Sequence, residues 1–145
     1  MALTDELPKQ LEETMRRANN ILLKRGRSIL TGMEISALQF NALLTIREFG
    51  PLTMGDLSDH LFTACSTATD LADRMERAEL VERVRDEKDR RVVRLQLLPR
   101  GDDVLNKVIA ERQSFIGEVL KEYTGDEYAE LLRSLELLER RMELK

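Results

Sequence analysis

Apolar residues recur at three- and four-residue steps along the first part of the chain, which is the spacing of one face of an α-helix. The members of this series are Leu7, Leu11, Met15, Ala18, Leu22 and Ile29. The pattern predicts one long amphipathic helix over residues 5–30, which Gly32 ends. Helical spacing returns after residue 101 in two stretches, and the second of them carries repeated leucines up to Met142.

Three segments carry the side chains that start helices. Ser36 can accept a hydrogen bond from the backbone of Gln39 while Gln39 reaches back to Ser36, which is the pattern of a capping box. Thr53 and Thr124 stand at equivalent cap positions ahead of two further apolar runs. The sequence therefore predicts helices that begin near residues 37, 54 and 125.

A pair of short helices is predicted between residues 56 and 80, with a break at residues 62–64. The second helix, over about residues 64–78, is amphipathic. Its apolar side gathers Ala64, Ala68, Leu71, Ala72 and Met75. Its polar side gathers Ser66, Asp70, Asp73, Arg74 and Arg77. One face is thus expected to pack against the protein while the other stays available for binding.

The period of the apolar residues changes to two after residue 80. Val93, Leu95 and Leu97 alternate with polar residues, which predicts a strand with one buried face. Residues 81–85 are its weaker partner strand, and residues 86–91 form the charged tip of the hairpin between them.

Pro99 and Gly101 are expected to close the sheet. With four helices before the hairpin and two after it, the order of elements predicts a mainly α protein with a small β-hairpin wing. The chain has 145 residues, of which 42% are hydrophobic and 34% are charged, and this suits one globular domain of ordinary size. No internal repeat or low-complexity linker interrupts it, so a single domain over residues 1–145 is predicted.

The sequence also bears on the compartment. No apolar run approaches the roughly 20 residues that span a bilayer, and the first residues lack the basic and apolar blocks of a signal peptide. The single cysteine, Cys65, has no partner in the chain for a disulfide. These features predict a cytoplasmic protein without a membrane association.

The chain is acidic as a whole but contains one basic stretch. The chain has a net charge of −4, which by itself argues weakly against a nucleic-acid partner. Residues 83–100, however, hold three acidic residues and seven basic ones, namely Arg83, Arg85, Lys88, Arg90, Arg91, Arg94 and Arg100. A basic patch in an acidic chain fits a localised phosphate contact, and it also fits an ordinary solvated hairpin. Charge alone leaves both interpretations open.

The order of the elements favours DNA. Two short helices, the second with a free polar face, suit insertion into the major groove, whose width of about 12 Å matches one helix with its side chains. A hairpin tipped with arginine directly afterwards can reach an adjacent minor groove, where the negative potential attracts guanidinium groups. The second helix of the pair is therefore the candidate recognition helix.

Two stretches resemble a known family. The run from Leu61 to Arg83, LFTACSTATDLADRMERAELVER, and the D-x-x-D-R-R tip over residues 86–91 with the strand VVRLQL after it resemble the recognition helix and wing of the MarR (multiple antibiotic resistance regulator) family. The D-x-x-D-R-R tip is the most specific part. Helix order and chain length agree with the family over essentially the whole sequence.

The resemblance implies a winged helix-turn-helix region over residues 36–100 and dimerisation helices over residues 5–30 and 101–145. It implies a homodimer that binds a pseudo-palindromic double-stranded DNA operator and regulates transcription, as a repressor in the reading we favour. It also implies that a small ligand, often phenolic or lipophilic, or an oxidant relieves DNA binding. No cofactor is expected.

The resemblance, carried over position by position, assigns the DNA contacts. The residues that would face the major groove are Ser66, Thr67, Thr69, Asp70 and Arg74, with Arg77 farther along the same polar face. Arg91 would enter the minor groove, oriented by an ion pair with Asp89. Arg90 and Arg94 would touch phosphate, and such contacts position the protein without reading the base sequence.

Two departures from the family pattern affect the recognition helix. Ala64 stands where the family usually has a capping serine, a loss of about 1 kcal/mol, and Thr63 can substitute one residue earlier. Asp70 and Asp73 bring carboxylates to the face that meets phosphate. Ion pairs four residues on, with Arg74 and Arg77, would offset these charges, or Asp70 could accept from a cytosine amino group. The sequence leaves this choice open.

Several residues have both a functional and an ordinary interpretation. Cys65 is either a redox sensor near a helix N-terminus or a small, partly buried filler. His60 lacks partners at metal-ligand spacing, so we expect a surface or turn histidine and no metal site. Four methionines either line an adaptable ligand pocket or fill the core: Met15, Met33, Met54 and Met75. The C-terminal leucines fit either dimer packing or the core of one chain.

The sequence also bears on whether the protein is an enzyme or a protein-interaction module. The chain has no glycine-rich phosphate loop, nucleophile elbow or histidine–carboxylate pair that suggests a catalytic triad, so we expect no enzyme. The alternative is a helical protein-interaction or antirepressor module that has lost DNA binding. The negative net charge and the two carboxylates on the recognition face favour that alternative.

Overall fold

A computed structural model describes residues 4–145, so residues 1–3 of the predicted domain lie outside the described residues. The helices are α1 (Glu6–Lys24), α2 (Arg27–Gly32), α3 (Ala37–Phe49), α4 (Met54–Leu61), α5 (Cys65–Arg77), α6 (Pro99–Leu120) and α7 (Gly125–Glu143). The strands are β1 (Leu52–Thr53), β2 (Val81–Arg85) and β3 (Val93–Leu97). The fold is mainly helical with a small antiparallel sheet, which confirms the predicted fold class.

The three predicted helix starts are confirmed. In the capping box of α3, the Gln39 backbone N–H donates to Ser36 Oγ at 3.1 Å, and the Ser36 backbone N–H donates to Gln39 Oε1 at 2.7 Å. Thr53 Oγ1 accepts from the Asp56 amide at 3.1 Å, and Thr124 caps α7 in a second box. These local bonds satisfy N–H groups that a helix end leaves unpaired, which is why the starts could be read from sequence.

The single helix predicted over residues 5–30 is wrong, because the chain breaks into α1 and α2 at Gly26. This residue has φ +83°, a backbone conformation that residues with a Cβ rarely adopt. A Cβ at Gly26 would lie 2.9 Å from Val108 Cγ1 of α6, so glycine also permits the close approach of the two segments. The turn brings Leu30 of α2 into the core.

The sheet confirms the predicted hairpin and adds one strand. β2 pairs with β3 in a register that runs from Val81 opposite Leu97 to Arg85 opposite Val93. The two-residue β1, which sequence reasoning missed, pairs with the other side of β3. Pro99 begins α6 rather than only closing the sheet, since proline suits the first helical position, and Gly101 lies in the first turn of that helix.

The core lies between α3, α4, α5, the sheet and the first half of α6. The largest fully buried side chains are Phe40, Leu43, Ile46, Leu57, Met75, Leu80, Leu95, Leu105, Val81, Val104 and Val108. Neither α1 nor α7 contributes a buried residue. The C-terminal leucines therefore do not form the core of one chain. None of the helices within residues 4–145 is long and apolar enough to cross a membrane.

Gly101 generates a stability prediction. A Cβ at this position would collide with the Leu80 carbonyl oxygen and lie 2.8 Å from Leu97 Cδ1, and the carbonyl belongs to backbone that cannot move aside easily. We expect Gly101→Ala to lower the free energy of unfolding by about 1–3 kcal/mol, the usual cost of forcing atoms into a packed core. Urea denaturation followed by circular dichroism measures this change.

Gly32→Ala is the matched control. Gly32 is the last residue of α2, and a Cβ there would meet no atom within 4 Å. Alanine favours a helix over glycine, so this variant should be as stable as the parent or more stable. Equal stabilities of the two variants would contradict the packing argument.

Candidate nucleic-acid interface

α5 is held by one face and exposes the other. Its buried residues are Ala68, Leu71, Ala72 and Met75. Its exposed face carries every recognition-helix residue expected to meet DNA: Ser66, Thr67, Thr69, Asp70, Arg74 and Arg77. Thr69 Oγ1 donates to the Cys65 carbonyl oxygen at 3.0 Å, so this hydroxyl is partly engaged by its own helix. The expectation that Ala64 packs on the apolar side is wrong, because Ala64 is exposed at the N-cap position.

The N-terminus of α5 has no side-chain cap. Ala64 offers none, and the predicted substitution by Thr63 is wrong. Thr63 Oγ1 is instead buried without a hydrogen-bond partner among residues 4–145. The first N–H groups of α5 therefore stay open to water or to an anion, unlike those of the capped helices α3, α4 and α7.

The two carboxylates on the exposed face of α5 are neutralised in different ways. Asp70 Oδ2 lies 3.4 Å from Arg74 Nη2, which confirms the predicted pair. The predicted pair between Asp73 and Arg77 is wrong. Asp73 accepts instead from Arg83 of β2, at 2.7 Å, because the strand brings this guanidinium across α5. Arg77 is exposed and has no carboxylate partner among the described residues.

Asp86 organises the tip of the wing. Its Oδ2 accepts from the backbone N–H groups of Lys88 at 3.0 Å and Asp89 at 2.8 Å, and its Oδ1 accepts from Arg94 Nη1 at 2.8 Å. The Asp89 N–H is the largest of the influences that lower the pKa of Asp86, and Arg94 comes next. The tip is therefore built around an ionised carboxylate rather than around apolar contacts.

Arg91 stands at the end of this wing. Its Nε and Nη2 lie 3.1 Å from Asp89 Oδ1 and 3.2 Å from Asp89 Oδ2, and its backbone N–H also donates to Asp89 Oδ1. The pair expected from the resemblance is present, and the hydrogen bonds from Arg91 lower the pKa of Asp89. The Arg91 side chain is 91% exposed, so the pair orients a guanidinium that points into solvent. Such an exposed pair adds little to stability.

Arg94 and Arg90, the other two cations assigned to the wing, differ in whether a carboxylate already binds them. Arg94 is half-buried and engaged with Asp86, so a phosphate would have to share it. The side chain of Arg90 is exposed and has no carboxylate partner within residues 4–145. The Arg90 carbonyl oxygen accepts from Arg85 Nη1 at 2.8 Å, which ties the tip back to β2.

Cys65 and His60 are both exposed. Cys65 is the first residue of α5, so its interpretation as a partly buried filler is wrong, and a redox role stays a prediction. His60 lies on the surface of α4, as predicted, and stacks on Phe49 with ring centroids 4.3 Å apart. Across residues 4–145, no three His, Cys, Asp or Glu side chains are grouped closely enough to hold a metal ion.

The four methionines do not line one pocket. Met75 is fully buried, and Met33 and Met54 are packed against the core, so core filling is the correct interpretation for these three. Met15 lies in an open groove between α1 and α7 that also includes Leu138 and Met142.

Sequence reasoning missed a cavity of about 330 Å³ between α2, α3 and α6. Its lining is mainly apolar, with Leu23, Leu30, Ile35 and Phe40, and it includes two cations, the exposed Arg27 and the half-buried Arg112. Arg112 Nε is buried without a hydrogen-bond partner in the described part of the chain, and the guanidinium lies 4.9 Å from the centroid of the Phe40 ring. Burial lowers the pKa of Arg112. No motif marks such a residue, because its neighbours come from distant parts of the sequence.

Comparison with known proteins agrees with this geometry. The sequence model of the MarR family matches residues 35–93. The chain is 42% identical to the HTH-type transcriptional regulator YsmB of Bacillus subtilis, over 93% of this chain and 92% of the relative. It is 29% identical to the HTH-type transcriptional repressor MdtR of B. subtilis, over 64% of this chain and 60% of the relative. A MarR family structure from Bacillus stearothermophilus superposes with a TM-score of 0.86 at 42% identity, covering 98% of this chain and 99% of the other.

Asp86→Ala tests the organisation of the wing. Loss of this acceptor should free the amides of Lys88 and Asp89, so their hydrogen exchange should accelerate while the unfolding temperature changes little. In the parent, the pKa of Asp86 is lowered, so its carboxylate stays ionised below the ordinary aspartate pKa of about 3.9. Both hydrogen bonds should therefore persist from neutral pH to below that value. The protection should disappear as the pH falls through the lowered pKa. Exchange followed by NMR measures both effects.

The control for this prediction is Glu87→Ala, which removes a neighbouring exposed carboxylate from the same loop. Exchange of the two amides should not change in this variant. Equal acceleration by both substitutions would show that charge, and not the Asp86 hydrogen bonds, orders the tip.

Proposed function

This chain belongs to the MarR family of winged helix-turn-helix transcriptional regulators, and we propose that it acts as a homodimeric repressor on a pseudo-palindromic DNA operator. In this proposal α5 lies in the major groove and Arg91 enters the adjacent minor groove. The observation that carries it is the exposed polar face of α5 beside a wing whose tip presents an almost fully exposed guanidinium.

The charges at the two contact points support this arrangement. Asp70 and Asp73, which would repel phosphate, are each paired with an arginine, while Arg77, Arg90 and Arg91 remain exposed. The polar face of α5 therefore offers hydroxyl and guanidinium groups for base edges. The exposed cations near the wing suit the phosphate contacts that position a protein on the duplex.

The surfaces of α1 and α7 support a dimer. Each helix has 19 residues and no buried residue within the chain. Both carry exposed large apolar side chains, including Leu7, Leu11, Ile21, Leu131, Leu132, Leu135 and Met142. A second copy that packs on these faces would remove the apolar area from water, and two-fold symmetry would place two recognition helices on two half-sites.

Repression is supported by the relative MdtR, which is a transcriptional repressor. Release by a small molecule is supported by the cavity beside Arg112. An apolar cavity that is also lined by the guanidinium groups of Arg27 and Arg112 suits a lipophilic anion, such as a phenolic acid, whose charged oxygen would contact the Arg112 guanidinium. The cavity touches α2, α3 and α6, so an occupant can alter the spacing between the terminal helices and the DNA-binding region.

The alternative of a protein-interaction module that has lost DNA binding loses its main support. It depended on two carboxylates on the recognition face, and both are paired with arginine. The negative net charge also does not describe the wing, where Arg90 and Arg91 are exposed.

Arg91→Ala tests the DNA-binding proposal. We expect the parent to bind a duplex from its own promoter region far more tightly than random DNA, and a duplex with both half-sites more tightly than one with a single half-site. Loss of the minor-groove guanidinium should weaken operator binding roughly tenfold to a hundredfold, or about 1–3 kcal/mol. Fluorescence anisotropy at fixed salt measures the affinities, since salt alone changes them strongly.

Lys107→Ala is the control, because it removes one exposed positive charge from α6 and leaves the wing unchanged. Its operator affinity should stay close to that of the parent. Unchanged binding by Arg91→Ala would support the protein-interaction module, as would equal affinity of the parent for operator and random DNA.

Arg112→Met tests the effector site. Lipophilic carboxylates such as benzoate derivatives should raise the unfolding temperature of the parent, while the corresponding uncharged amides should have a smaller effect. The difference should shrink in Arg112→Met, which keeps an unbranched side chain beside Phe40 but removes one of the two cations that line the cavity. Differential scanning fluorimetry measures the shifts. Equal shifts by acids and amides in the parent would contradict an anion site at Arg112.

A further inference from the structure

Arg83 joins the wing to the recognition helix. From β2, its Nη2 donates to Asp73 Oδ1 at 2.7 Å and its Nη1 donates to Glu76 Oε1 at 2.8 Å, and both carboxylates belong to α5. The Arg83 backbone N–H also donates to Glu76 Oε2, at 3.3 Å. The side chain is 29% exposed, so these charge-assisted bonds are partly shielded from water.

The geometry of this contact restricts how α5 can move. Asp73 and Glu76 are three residues apart, so they lie on one side of the helix, and a planar guanidinium holds both at fixed directions. Rotation of α5 about its axis, or a swing of β2 away from it, would break at least one of the two bonds. A lysine has a single charged atom and a flexible stem, so it would hold the two carboxylates less rigidly.

Arg83 is itself poorly placed to touch DNA. Both of its terminal nitrogens are engaged by carboxylates, and these hydrogen bonds raise its pKa, with Asp73 first among the causes. A phosphate would have to displace Asp73 or Glu76 to reach the guanidinium. This separates Arg83 from the exposed Arg91, although both belong to the basic stretch of the sequence.

We propose that Arg83 is a positioning residue for operator binding, which holds α5 and the wing at one relative orientation so that both can enter adjacent grooves at once. This inference rests on the proposed DNA-binding function. Its effect on affinity depends on the minor-groove contact of Arg91, so the effect should be large only when Arg91 is present.

A double-mutant cycle with Arg91 tests this route. Arg83→Ala should weaken operator binding about tenfold when Arg91 is present and less than threefold when Arg91 is already alanine, because the minor-groove contact that Arg83 positions is then already lost. Hydroxyl-radical footprinting should show loss of the minor-groove protection by the wing. Protection of guanine N7 from methylation in the major groove, beneath α5, should remain.

The paired substitution Asp73→Ala with Glu76→Ala provides a second variant that keeps Arg83. It removes two negative charges near the DNA, so simple electrostatics predicts tighter binding. The positioning role predicts the opposite: weaker binding and loss of the same minor-groove protection. Lys107→Ala again serves as the control for the loss of one positive charge, and circular dichroism confirms that each variant is folded.

The outcomes separate this inference from the function on which it rests. If the parent does not prefer its operator, the proposed function fails, whatever the variants do. If the parent prefers its operator but Arg83→Ala binds equally well, or loses the same factor with and without Arg91, the positioning role is overturned. The second of these results would assign Arg83 a direct contact with DNA.

Discussion

The burial of one narrow face of α5 is the constraint on which the exposed polar surface of this helix depends. Ala68 and Ala72 are small enough to let the helix approach its neighbours, and Leu71 and Met75 fill the space beside them. Once these positions are buried, the 3.6-residue period decides which side chains point outward. The outward placement of the hydroxyl and charged residues of α5 therefore follows from the apolar residues on its buried face.

Carboxylates have a constructive role in this basic surface. Asp86 gathers the amides and the guanidinium that form the wing tip, and Asp89 directs Arg91. Asp73 engages Arg83 between strand and helix. A count of charges would treat these acids as obstacles to phosphate binding. In the structure each of these three carboxylates is paired with an arginine, while the side chains of Arg77, Arg90 and Arg91 stay exposed.

The features that could be predicted from sequence are those determined by near neighbours. The caps at Ser36, Thr53 and Thr124 and the hairpin alternation involve residues a few positions apart, and so does the Asp70–Arg74 pair. The break at Gly26 was missed because the apolar spacing continues across it, and because Val108, the close neighbour that favours glycine there, lies far along the chain. The Asp73–Arg83 pair and the Arg112 cavity likewise need the tertiary fold, and β1 is too short to show a period.

The absence of buried residues on α1 and α7 within a single chain has a consequence for how the protein responds to its own abundance. A 19-residue helix with no buried residue is marginally stable in water, and in the proposed homodimer the second copy would supply the missing packing. Dilution would then fray these helices before the central core is affected. By mass action, the number of copies in a cell would set how much of the protein has firm terminal helices.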